Sequence, residues 1–152
     1  MSEGELERAA GWHLSLDNVQ AANDRIVRLS TSLDLPEVYR RDPERLHTAS
    51  DGQKFAVRRA SLNANHSFKY FGKGQGVSAY TFIDERQLLW HSLMMSAAER
   101  ESAYVVDGLM RNDVVRSDIH STGSHGYAEA ISAVTHLLGI SYAPRIKNIG
   151  DQ

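Results

Sequence analysis

Asp51 is the acidic side chain best placed to do chemistry in this 152-residue chain. It closes the run Leu46-His47-Thr48-Ala49-Ser50, which reads as a short strand, and Gly52 follows it. A carboxylate at a strand end is a hard oxygen donor suited to Mg2+ or Mn2+. An Asp before a Gly is also, and more commonly, a turn residue. The second concentration of chemistry is basic. Between Gly52 and Ile83 lie five of the 17 basic residues and none of the 19 acidic ones. Lys54, Arg58, Lys69 and Lys73 alternate loosely there with Phe55, Phe68, Tyr70 and Phe71. That mixture suits phosphate contact and base stacking, and equally a solvated loop whose aromatic rings pack onto the core. The run Gly72-Lys73-Gly74-Gln75-Gly76 lacks the terminal Lys-Ser/Thr of a phosphate loop. Its glycines are expected to give the backbone a tight path into the next strand. The seven histidines show no His-Glu-x-x-His spacing and read as core or surface residues.

Composition bounds the rest. With 41% apolar residues the chain can build one compact core but not two large ones. The formal charge of −2 gives no bulk attraction to a polyanion; the local asymmetry around residues 52–83 is the stronger signal. The absence of cysteine excludes a disulfide partner and thiolate metal sites. The acidic start Met1-Ser2-Glu3-Gly4-Glu5 is unlike a signal peptide, and no apolar run reaches the length of a membrane span. A cytoplasmic protein is expected.

These residues need elements to hold them. Residues 1–11 read as a flexible, polar N-terminus. Val19, Ala22, Ile26, Leu29 and Leu33 fall at helical spacing, predicting a helix over 17–33 with Asp17 as N-cap and Pro36 beyond its end. Leu46–Ser50 reads as a strand and Gly52–Gly76 as irregular, with a short strand near Phe68–Phe71. Val77–Ile83 and Leu88–Met95, separated by Asp84-Glu85-Arg86-Gln87, predict an antiparallel hairpin. Ser96-Ala97-Ala98-Glu99 has the form of a capping box opening a helix to about Arg111 that buries Val105 and Leu109. A strand over 116–122 follows. Next comes a helix from Tyr127 that buries Ile131, Val134 and Leu138 and stops at Gly139. A last strand, 140–143, precedes Pro144. Three strands followed by alternating helices and strands predict a mixed α/β sheet.

Four stretches carry a resemblance. They are Leu46–Gln53; Phe68-Lys69-Tyr70-Phe71-Gly72-Lys73-Gly74-Gln75-Gly76-Val77-Ser78; Ile119-His120-Ser121-Thr122-Gly123-Ser124-His125-Gly126-Tyr127; and Leu137-Leu138-Gly139-Ile140-Ser141-Tyr142-Ala143-Pro144-Arg145-Ile146-Lys147. Together they closely resemble the catalytic core of Tn-three-type replicative transposases, from about Gly11 to Ile149. The resemblance implies a ribonuclease-H-like α/β fold, a mixed sheet with flanking helices, over residues 12–152. It also implies metal-dependent cleavage and strand transfer of DNA at transposon ends, with Mg2+ or Mn2+ as cofactor. Asp51 takes the place of the first carboxylate of an Asp-Asp-Glu triad. Gly123 stands where the family has the second, and the third would fall after residue 152. Arg145 and Lys147 match basic positions of the family.

The expected picture is therefore a truncated, inactive transposase domain with Asp51 as its remaining metal ligand. Asp118 and His120 stand at odd separations from Gly123, so in a regular strand they face away from it. Ser121 shares the face but is a weak ligand, and His125 and Glu129 reach the site only if the following turn permits. The rival expectation is a non-catalytic DNA-binding or interaction protein using the basic region 52–83, with Lys54, Arg58, Lys69, Lys73, Arg145 and Lys147 as weak phosphate contacts. In either case Asp51 and Gly123 should lie side by side at the ends of adjacent strands.

Overall fold

Neighbouring strands, rather than local composition, decide where the strands of this chain end. The computed structural model describes residues 2–58 and 61–146; Lys147 lies outside them. Helix α1 (Glu3–His13) occupies most of the stretch read as a flexible N-terminus. Ser2 caps it, with Ser2 Oγ accepting from the Glu5 amide and the Glu5 carboxylate accepting from the Ser2 amide, and none of its residues is buried. Helix α2 (Leu16–Thr31) covers the predicted amphipathic segment. Its N-cap is Ser15, whose Oγ accepts from the Asn18 amide at 3.2 Å, so Asp17 belongs to the first turn. A short 3-10 helix, Leu35–Tyr39, carries Pro36.

Strand β1 (His47–Val57) continues well past Ser50, because every residue from Thr48 to Val57 pairs with antiparallel β3 (Gln75–Asp84). The segment predicted to be irregular thus contains half of a two-stranded ribbon, the two-residue strand β2 (Asn65–His66) and the single helical turn α3 (Phe68–Phe71), where a strand was expected. Strand β4 (Leu89–Ser96) pairs with β3 as the predicted hairpin. On the other side of β1, β5 (Ile119–Thr122) and β6 (Ser141–Pro144) add in parallel. Among the described residues these form one mixed sheet, ordered β3-β1-β5-β6, with β2 and β4 both on the outer edge of β3.

Helix α4 (Ser102–Met110) begins later than expected. Ser96 is held in the sheet opposite Val77 and cannot cap a helix. Its hydroxyl accepts from the Ala98 amide instead, while the Glu99 carboxylate is taken by the Tyr104 hydroxyl. Gly108 lets α4 approach the sheet; a Cβ there would overlap the Phe82 ring. Around this contact lie Tyr80, Phe82, Trp90, Met95, Val105 and Val115, with Val27 of α2. Tyr80 meets Phe82 edge-on at 5.2 Å, a favourable ring geometry. Helix α5 (Glu129–Leu137) stops before Gly139, whose φ of 76° suits a glycine. The fully buried residue of α5 is Thr135, its hydroxyl bonded to the Ile131 carbonyl at 2.8 Å. Ile131 packs on the core as expected, whereas Val134 and Leu138 are exposed.

Candidate metal and nucleic-acid site

The parallel pairing of β1 with β5 builds the site. Ser50 stands opposite Thr122 as the last pair of that ladder, so Asp51 and Gly123 leave it together: β5 ends there, while β1 runs on to Val57 paired with β3, Asp51 opposite Thr81. A Cβ placed on Gly123 would lie 3.4 Å from Asp51 Oδ1 and meet no other neighbour within 4 Å. The expected juxtaposition is therefore present, and the space above Gly123 is open. Asp51 is exposed, and its Oδ1 accepts from the Gly52 amide at 2.9 Å.

The alternating pleat settles the neighbours. Thr48, Ser50, His120 and Thr122 face the buried side. His120 is fully buried, with Nδ1 at 2.7 Å from Thr48 Oγ1 and Nε2 at 2.9 Å from Ser50 Oγ; Ser50 in turn bonds the Tyr80 hydroxyl at 2.8 Å. Burial, with a smaller contribution from His47, lowers the His120 pKa to about 4, so the ring is neutral near pH 7. Burial likewise pushes the Tyr80 phenol far up. Asp118 accepts from the Leu46 amide at 2.8 Å, at the opposite end of β5 from Gly123. Ser121 Oγ lies 2.7 Å from His47 Nε2. Asp118 and His120 are thus structural, and Glu129 is exposed in the first turn of α5.

The basic residues divide into two groups. Lys54 is turned inward: its Nζ donates to Ser78 Oγ at 3.0 Å and to the Ala97 carbonyl at 3.3 Å, and lies 4.8 Å from the centroid of the Tyr70 ring. Arg58, Lys69 and Lys73 are exposed on the ribbon and the α3 region. The Lys69 ammonium stands 5.1 Å from the Tyr70 centroid. Phe55, Phe68 and Tyr70 remain exposed, whereas Phe71 is half-buried over Gly76, where a Cβ would collide with its ring. Arg145 follows β6, and its amide bonds the Thr122 carbonyl at 2.9 Å. It therefore emerges at the same sheet end as Gly123.

One residue escaped the sequence reading. Glu101, just before α4, is 7% exposed and lies against Gly52, its Cδ 2.9 Å from where a Gly52 Cβ would stand. Burial, then the Asp51 charge, raises its pKa, while His125 and Lys54 oppose the rise. Glu101 sits in a polar run, Ala98-Glu99-Arg100-Glu101, in which either glutamate suits a helix start. Only the fold distinguishes them. Among the described residues no group of three or more His, Cys, Asp or Glu is placed to enclose a metal ion.

A mixed sheet with β1 between an antiparallel and a parallel neighbour, flanking helices, and a carboxylate on the central strand just where its parallel pairing ends define a ribonuclease-H-like α/β domain. The sequence profile of the Tn3 transposase DDE domain matches residues 1–152, and the chain belongs to that family. It is similar to the transposase for transposon Tn1546 of Enterococcus faecium, 26% identical over 148 residues, covering 97% of this chain and 15% of that protein. To the transposase for transposon Tn21 of Escherichia coli it is 30% identical over 105 residues, covering 68% of this chain and 11% of that protein. The transposase for transposon gamma-delta of Escherichia coli K12 is 24% identical over 140 residues, with 91% and 14% covered. The chain thus spans about 15% of the length of the first of these curated relatives. No solved structure matches it. Membership in the DDE family implies use of a divalent metal ion. No helix among the described residues is long and apolar enough to cross a membrane.

Proposed function

We propose that this chain is part of the catalytic domain of a Tn3-type transposase, acting on DNA at transposon ends, with Asp51 as a ligand for Mg2+ or Mn2+. The observation that carries the reading is the placement of Asp51 beside residue 123 where the parallel pairing of β1 with β5 ends, 3.4 Å from a Cβ at 123. A cytoplasmic location is part of this proposal.

The residues present fit a hard cation in chemistry: an exposed carboxylate, and open space where Gly123 has no side chain. Such an ion keeps several of its own waters. When bound, it would supply Lewis acidity for attack at phosphorus. Asp51 would hold the cation where the β1–β5 pairing ends, with Oδ1 oriented by the Gly52 amide. Arg145, leaving the sheet at the same end, offers a guanidinium to a phosphate. With glycine at 123, that position supplies no carboxylate, and we expect no strand transfer by this chain. Gly123→Asp should tighten Mn2+ binding about tenfold or more, since affinity follows ligand charge. An unchanged affinity, measured by calorimetry on a folded variant, would remove Asp51 and residue 123 from the metal site.

The second reading is a non-catalytic DNA-binding protein. Gly123 itself favours it, together with the exposed Arg58, Lys69 and Lys73. Manganese-dependent nicking of supercoiled DNA supports the first reading. A gel shift without cleavage supports the second.

A further inference from the structure

Asp51 is not the only carboxylate at the end of the β1–β5 ladder. Glu101 reaches it from α4, and both acids meet on one residue, Gly52. Asp51 Oδ1 bonds the Gly52 amide at 2.9 Å, while the Glu101 carboxyl lies against the face of Gly52 that a side chain would otherwise fill. β5 ends at Thr122, so beyond Ser50 that edge of β1 has no strand paired beside it.

Glu101 is more than nine-tenths buried as a residue, but its carboxylate oxygens are not sealed from solvent, and no hydrogen bond or ion pair to them occurs among the described residues. Lys54, which lines the same cleft, directs Nζ hydrogen bonds to Ser78 and Ala97. A small cleft of about 200 Å³ opens beside Glu101, bordered by Lys54, Tyr70, Arg100 and His125. A largely desolvated carboxylate beside a second acid, opening onto a cleft, is favourably placed to accept a cation or a proton.

We propose that Glu101 is the second carboxylate of a single divalent-cation site with Asp51, filling in part the role that a side chain at position 123 does not fill in this chain. This rests on the reading of Asp51 as a metal ligand. The glycine at 52 is then a requirement of the site, because any side chain there would evict Glu101.

The test is Mn2+ binding to the whole chain, read by calorimetry and by the electron paramagnetic resonance of free Mn2+, with folding checked by circular dichroism. The unmodified chain and Glu44→Gln, an exposed carboxylate ahead of the other end of β1, should bind one ion with equal affinity. Asp51→Asn and Glu101→Gln should each weaken binding about tenfold or more, since ligand charge sets affinity for hard cations. Gly52→Ala leaves both acids intact and should give a similar loss by displacing Glu101. If Asp51→Asn weakens binding while Glu101→Gln and Gly52→Ala do not, Glu101 is no ligand and the reading of Asp51 stands. If Mn2+ binds Gly123→Asp but not the unmodified chain at millimolar concentration, Glu101 is likewise excluded. Binding indifferent to both Asp51→Asn and Glu101→Gln overturns the inference and the reading beneath it.

Discussion

His120 shows how a sheet end becomes rigid enough to hold a cation site. Its imidazole ties β5 to β1 through Thr48 and Ser50, one residue before Asp51 leaves the ladder. The ring must be neutral to sit there, and burial depresses its pKa to about 4 from 6.5. The folded state therefore binds fewer protons than the unfolded one between those values. The stability that neutral His120 contributes is complete above about pH 6.5 and is lost as pH falls through the folded pKa near 4, on the order of 3 kcal/mol in all. Melting temperature should fall accordingly between pH 7 and pH 4, and His120→Gln, which keeps two polar atoms in place, should reduce that dependence. A variant with an unchanged pH slope would show that His120 is accessible to protons in the folded chain.

At the scale of elements, the β3–β4 hairpin has a charged turn buried in place of a polar loop. Asp84 is 2% exposed and Arg86 8%; the Arg86 Nη2 lies 2.6 Å from Asp84 Oδ2, and Asp84 Oδ1 accepts the amides of Arg86 and Leu88. Asp84→Ala leaves a buried guanidinium uncompensated and should cost about 3–5 kcal/mol in denaturant unfolding, because breaking one side of a buried pair strands the other. A loss under about 1 kcal/mol would mean that Glu37, 3.4 Å from Arg86 Nη1, takes over the pairing. This hairpin was legible in the sequence because two runs rich in aromatic and branched residues flank the polar turn Asp84-Glu85-Arg86-Gln87. The far half of β1 was not. Beyond Ser50 it has no β5 beside it, most of its residues are exposed, and no buried face imprints a period of two on Gly52–Val57. The capping box at Ser96 misled for a related reason: pairing with Val77 outweighs a local cap. Asp51 and Gly123 were placed correctly through resemblance, but Glu101 needed the three-dimensional approach of α4 to Gly52.

For the whole molecule, the decisive electrostatic quantity is which cations remain free rather than the net charge of −2. Lys54 is committed to Ser78, Ala97 and the Tyr70 ring, so it belongs to the fold. Arg58, Lys69 and Lys73 are exposed on the ribbon side, and Arg145 is exposed where β6 ends. If all four neutralise duplex phosphates, log affinity should fall against log salt with a slope of roughly −3.6, about 0.9 per contact. Replacing Arg58, Lys69 and Lys73 together by alanine should bring the slope to about −0.9. Lys54→Ala should leave the slope nearly unchanged while lowering the melting temperature, which separates a structural lysine from a phosphate contact. Arg25 and Arg28 on α2 serve as controls and should leave the slope as it is. Gel-shift titrations at several salt concentrations, with Ca2+ in place of Mn2+ to suppress cleavage, measure all of these slopes. A slope indifferent to the triple replacement would make the ribbon a solvated surface and remove it from any DNA path across the carboxyl end of the sheet.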